Sequence, residues 1–217
     1  MKQIFKLLLV LSLILTPIAV FADQPHFLDN YDLMRPGSFV NKYYYDKRAL
    51  FDKSYIVLTV KKIDTCYVKD SWGFNPNEAS SQLKNQLMAA AEKNHIERFF
   101  DFEENAVPKA VLEIAITEQS SGNPIGRGLF PGLSFGQPYL RIEGRIKDAE
   151  SNKLIATFSH FKVGRNIWLI RDIGQEGGML TLRDIYRDAA DDIMREIGNT
   201  FGFIPEPYKN GSPFKYN

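Results

Sequence analysis

The densest set of ionisable side chains lies near the C-terminus: Arg183, Asp184, Arg187, Asp188, Asp191, Asp192, Arg195 and Glu196. Asp184, Asp188 and Asp192 recur every four residues, so on a helix they share a face and could hold a hard cation through oxygen ligands. The interleaved arginines compensate the same carboxylates, and a solvated, ion-paired helix face is the better reading; no metal is expected. Cys66 and the three histidines, His26, His95 and His160, stand far apart in the chain. Nucleophilic catalysis by Cys66 would need a histidine and an orienting group carried to it by the fold. A lone cysteine is most often buried and inert, and that is the expectation for Cys66, in or beside a strand. The pair to inspect for acid–base work is His160 with Glu143 or Asp148. The sequence holds no HExxH, P-loop, CxxC or EF-hand pattern, and no catalytic residue and no cofactor are expected.

The other conspicuous segment is GNPIGRGLFPGLSFGQP, residues 122–138, with five glycines, three prolines and the apolar residues Leu129, Phe130, Leu133 and Phe135 around Arg127. A connection of this length inside one domain is commonly functional. It either tucks its apolar residues under itself to cover the core or offers Phe130 and Phe135 to a partner or an apolar ligand, with Arg127 as polar anchor. A phosphate-binding role for Gly126-Arg127-Gly128 is weaker, because the segment precedes a strand instead of opening a helix.

The elements that must position these residues alternate in period. Tyr55 to Ile63 reads as a central strand. Asn75, Pro76 and Glu78 spell a helix start, and Leu83, Leu87, Ala90 and Ala91 give the helix an apolar stripe that ends near Asn94. Phe99 to Phe102 reads as a short strand. Residues 110–117 follow as another strand. Leu140, Ile142, Gly144 and Ile146 alternate with Arg141, Glu143, Arg145 and Lys147, predicting one core face and one wet face. Asp148 to Asn152 is a turn, and Leu154 to Val163 returns as the hairpin partner. A final helix runs from about Leu182 to Ile197.

The chain has 217 residues, 44% hydrophobic and 24% charged, with a net charge of +1. This is a globular composition, and it lacks the basic excess of a protein that coats nucleic acid or adheres to anionic lipid. Lys2 and Lys6, an apolar run from Leu7 to Val20 and the small-residue ending at Ala22 read as a signal peptide over 1–22. Its removal would turn the charge from +1 to −1. The expected organisation is a signal peptide 1–22, an irregular N-terminal arm 23–50, an α+β domain 51–202 and an irregular tail 203–217.

FLDNYDLMRPG (Phe27 to Gly37), SYIVLTVKKI, LEIAITEQSSGNPIGRGLFPG and LRIEGRIKDAESNKLIATF together resemble a family of bacterial envelope proteins, mostly classed as lipoproteins and known only as a domain of unknown function. Two positions depart from its pattern: Asp23 stands where the acylated Cys would be, and Asn152 where the hairpin usually has Gly. The resemblance implies no activity and supplies no catalytic residue. The expected protein is therefore a single exported α+β domain, with one mixed, mainly antiparallel sheet of about four or five strands and two helices packed on one face. The expected function is non-enzymatic: a periplasmic or secreted accessory protein that binds an envelope protein through Arg127, Phe130 and Phe135. The alternative is a carrier or sensor of a small apolar ligand beneath the 122–138 segment.

Overall fold

A computed structural model describes residues 27–49, 57–68, 74–103, 108–122, 137–164 and 182–203. Three long strands form the centre: β4 (Ala110–Ser120), β5 (Tyr139–Asp148) and β6 (Leu154–Val163). They are antiparallel, with Leu112 opposite Ile146 and Gly144 opposite Phe158. Short strands flank them: β1 (Lys42–Tyr45), β2 (Leu58–Val60) and β3 (Phe100–Asp101). The sheet order is β1-β6-β5-β4-β2-β3. β1 joins β6 antiparallel, whereas β2 lies parallel to both β3 and β4. A parallel pair needs a crossover, and helix α1 (Pro76–Lys93) supplies it between β2 and β3.

The class is α+β with two helices among the described residues, and the sheet has six strands, not four or five. The additional strand is β1, inside the arm 23–50 that was expected to be irregular. Its run Lys42-Tyr43-Tyr44-Tyr45 has aromatic residues suited to a strand, but its partner residues 156–159 lie more than a hundred positions away. Of the strand read over Tyr55 to Ile63, the described residues 57–63 are regular at Leu58–Val60, and Tyr55 and Ile56 lie outside the described ones.

The helix and turn signals work locally as expected. The Asn75 side chain accepts from the N–H groups of Asn77 and Glu78 at 3.1 and 3.3 Å, satisfying two donors that a helix start leaves free. Asn152 closes the β5–β6 turn at φ 56°, a left-handed conformation that Asn tolerates better than most residues. Helix α2 (Leu182–Phe201) continues one turn past Ile197, because Phe201 prolongs the apolar stripe. Gly202, at φ 66°, ends it. The N–H of Phe203 reaches Gly198 O and that of Gly202 reaches Asn199 O, the paired bonds of a Schellman cap.

Both helices cover one face of the sheet. Leu83 and Leu87 of α1 and Tyr186, Ile193 and Ile197 of α2 are completely buried with Leu58, Leu112, Ile114, Leu140, Ile142 and Phe158. Each such side chain contributes about 1.5–3 kcal/mol by leaving water. Gly144 is required here by packing, since a Cβ at that position would lie 2.2 Å from Phe158 Cζ. The opposite face is not the wet face that the alternation predicts. Phe27 and Leu28 lie on it with Ala115, and Glu143 is 1% exposed. The N-terminal segment covers charged strand residues whose spacing alone would place them in water.

Candidate binding cleft

The arm turns back on itself before entering the sheet. Arg35 and Tyr43 exchange backbone hydrogen bonds, 2.9 Å from Arg35 N–H and 2.6 Å from Tyr43 N–H, and the loop between them passes over the C-terminal half of α2. Glu196 holds it there. This carboxylate is 4% exposed, and its Oε2 accepts from Phe39 N–H at 2.6 Å and Val40 N–H at 3.2 Å. Arg195 adds its guanidinium over the Phe39 ring at 3.9 Å. Gly37 is needed at the crossing because a Cβ would come within 2.9 Å of the Glu196 carboxylate and 2.8 Å of Val40 Cγ2.

Beside this strap lies an open cleft of about 760 Å³. Tyr43, Tyr44 and Tyr45 line it from β1, Arg35 and Ser38 from the strap, and Asn199 and Thr200 from the last turn of α2. Leu33, 57% exposed, and Lys47 stand at its edge. Burial pushes the Tyr43 phenol well above its ordinary range, with Glu196 adding to the rise and Thr200 opposing it, so Tyr43 is a neutral hydroxyl at any physiological pH. Arg35 and Lys47 have no carboxylate partner among the described residues.

Elsewhere the ionisable groups are engaged in holding the fold. His160 Nδ1 accepts from Asn41 N–H at 3.3 Å, and its Nε2 lies 3.2 Å from Asp192 Oδ2. Lys162 approaches the same carboxylate at 2.5 Å. Burial opposes ionisation of Asp192, but His160 and Lys162 outweigh it and hold the acid below its ordinary value. On the other face, Glu113 binds Arg145 at 2.6 Å and Lys147 at 3.1 Å. Glu143 Oε2 accepts from Phe27 N–H at 3.3 Å, and Arg145 stacks over the Phe27 ring at 4.4 Å.

The sequence candidates divide accordingly. His160 and Glu143 are not brought together: His160 is opposite Ile142 and Glu143 opposite Ser159, so pleating sends them to opposite faces. Asp148 instead accepts from Ser151 in the β5–β6 turn. Asp184 pairs with Arg187, and Asp192 faces the sheet. Among the described residues no group of His, Cys, Asp and Glu side chains is arranged to hold a metal. Cys66 is exposed rather than buried, because it falls in the turn after β2 where Asp64 Oδ1 accepts its N–H at 2.8 Å. Arg127, Phe130 and Phe135 lie outside the described residues, as does the signal segment 1–22. The cleft residues were not singled out by the sequence. They come from the two ends of the domain and share no local motif, although Tyr43-Tyr44-Tyr45 was a visible signal.

The fold and cleft define an α+β protein with a six-stranded sheet backed by two helices and strapped by its N-terminal segment. No helix among the described residues is long and apolar enough to cross a membrane. No family model matches the sequence, and no curated protein matches it. Among solved structures it is similar to the PelC dodecamer from Paraburkholderia phytofirmans, with 11% identity and a TM-score of 0.44 over 70% of this chain and 93% of that one. It is also similar to protein XCC0632 from Xanthomonas campestris, of family DUF330, with 13% identity and a TM-score of 0.37 over 68% and 85% of the two chains. A third, the hypothetical protein CT253 from Chlamydia trachomatis, has 10% identity and a TM-score of 0.36 over 69% and 98%. These are loose likenesses of architecture and imply no ligand or activity.

Proposed function

We propose that this chain is an exported, non-enzymatic accessory protein of the bacterial cell envelope that binds a protein partner through the segment 122–138. The observation that carries this reading is the pairing of Ser120 with Tyr139. These residues are neighbours on adjacent antiparallel strands, which a connection of about two to five residues can join. The chain uses residues 121–138 instead, rich in glycine and carrying Phe130 and Phe135. Sequence beyond what the hairpin needs is free to serve recognition. The engagement of Asp192, Glu113, Glu143 and Glu196 in structural contacts supports binding over catalysis. Signal-like residues 1–22 support export, and the resemblance to an envelope family agrees with it. Nothing among the described residues favours the apolar-ligand alternative, since the cleft is mixed in polarity and lies at the far end of α2 from Pro138.

The test replaces residues 122–138 by Asn-Gly and, separately, makes Phe130→Ser with Phe135→Ser. Affinity capture from the envelope fraction should yield a partner with the native protein and lose it with either variant, while thermal unfolding of the variants stays cooperative. A partner that both variants retain removes the assignment.

A further inference from the structure

The strap cleft is a second site, independent of the 122–138 segment. Pro138 and the cleft lie at opposite ends of α2: Gly164 N–H donates to Pro138 O and packs near Ile185, whereas the cleft is formed at Asn199 and Thr200. Three kinds of group converge on it. Arg35 and Lys47 are exposed cations without an ion-pair partner among the described residues, so positive charge is offered to a ligand. Among the described residues the single carboxylate lining the cleft, Glu196, is occupied by two backbone N–H groups. Half-buried Tyr45, on the same side of β1 as Tyr43, offers a flat apolar face with a polar edge, and Tyr43 is kept as a neutral hydroxyl. Ser38, Asn199 and Thr200 add short donors and acceptors.

The position at the C-terminal end of α2 narrows the ligand further. A helix C-terminus carries partial negative charge. This disfavours an anionic group beside Asn199 and Thr200 and suits hydroxyl donors there, leaving the charge to Arg35 and Lys47. A volume of about 760 Å³ falls within the range of small-ligand sites. We propose that this cleft binds an acidic saccharide, a hydroxyl-rich ring bearing a carboxylate, with the carboxylate at Arg35 and Lys47 and a pyranose face against Tyr45.

The experiment is isothermal titration of the protein with tetragalacturonate, neutral galactotetraose and the peptide tetraglutamate. The expected result is saturable tetragalacturonate binding with Kd below about 1 mM and at least tenfold weaker binding of the other two. Arg35→Ala with Lys47→Ala should weaken tetragalacturonate at least tenfold, and Tyr45→Ala should do so without changing its salt dependence. Thermal unfolding establishes that each variant is folded; if Arg35→Ala disturbs the strap, Lys47→Ala alone decides. Absence of saturation, equal binding of tetraglutamate, or unchanged binding by the cation variants would overturn the proposal.

Discussion

Replacing Glu196 by Ala removes the anchor of the N-terminal strap. The carboxylate Oε2 accepts two backbone N–H groups, at 2.6 Å from Phe39 and 3.2 Å from Val40. Hydrogen bonds to a charged acceptor contribute about 1.5–3 kcal/mol each when buried. Val40 is buried and its N–H would stay orphaned, whereas half-buried Phe39 can recruit water and recover part of the loss. The net cost is therefore about 2–4 kcal/mol, a substantial share of a typical total of about 5–15 kcal/mol. Glu196→Gln keeps an acceptor oxygen in place and gives up only the charge-assisted part, so it should cost about 1 kcal/mol. Urea unfolding measures both differences, and backbone hydrogen exchange localises them. Exchange should accelerate across residues 37–45 in Glu196→Ala while remaining slow in β4 and β5. A loss below about 0.5 kcal/mol for Ala, which is the scale of an unremarkable surface change, would refute the account. So would equal losses for Ala and Gln, which would place the effect in side-chain packing instead of the two N–H groups.

Gly144→Ala should destabilise the protein by about 1–3 kcal/mol, the usual cost of overpacking, because its Cβ meets the buried Phe158 ring. Combining it with Phe158→Leu should recover part of that loss in the same unfolding assay. Asp192 is acidified in the fold, so its contribution is complete above its ordinary value of 3.8 and is lost as pH falls through the lower folded value. The stability of the native protein should therefore decline on acidification below about pH 4, and Asp192→Asn, measured by thermal unfolding from pH 7 to pH 2, should flatten that decline. The Cys66 thiol is raised chiefly by its hydrogen bond to Asp64. Its reaction with a disulfide reagent at pH 8 should be slower than that of a free thiol, and Asp64→Ala should speed it.

What could be read in advance was what neighbours in sequence decide. Asn75, Pro76 and Glu78 cap a helix whatever lies around it, and the alternation from Leu140 to Lys147 requires a strand. The alternation could not say that Phe27 and Leu28 would return to cover Glu143, since that contact spans more than a hundred residues. The same limit explains β1: Tyr43 to Tyr45 become a strand because β6 has an open edge to receive them. Cys66 was misplaced for a different reason. The general tendency of free cysteine toward burial was outweighed locally by Asp64, whose side chain accepts the Cys66 N–H and shapes an exposed turn. Of the cluster on α2, expected as a solvated, ion-paired face, Asp184 does pair with Arg187, but Asp192 faces the sheet and Glu196 is buried under the strap, contacts that only the fold could assign.

The dependence of the strap on Glu196 also sets an order of events during synthesis. The chain emerges N-terminus first, so Phe39 and Val40 are made long before the carboxylate that binds them. β1 must likewise wait for residues 156–159. The antiparallel unit β4-β5-β6 can assemble from residues close in sequence, but the strap at Phe39 and Val40 has no docking place until α2 has been made. The strap residues, made early, are among the last to settle, and a chain released before position 196 would carry a nearly complete sheet with Phe39 and Val40 unattached.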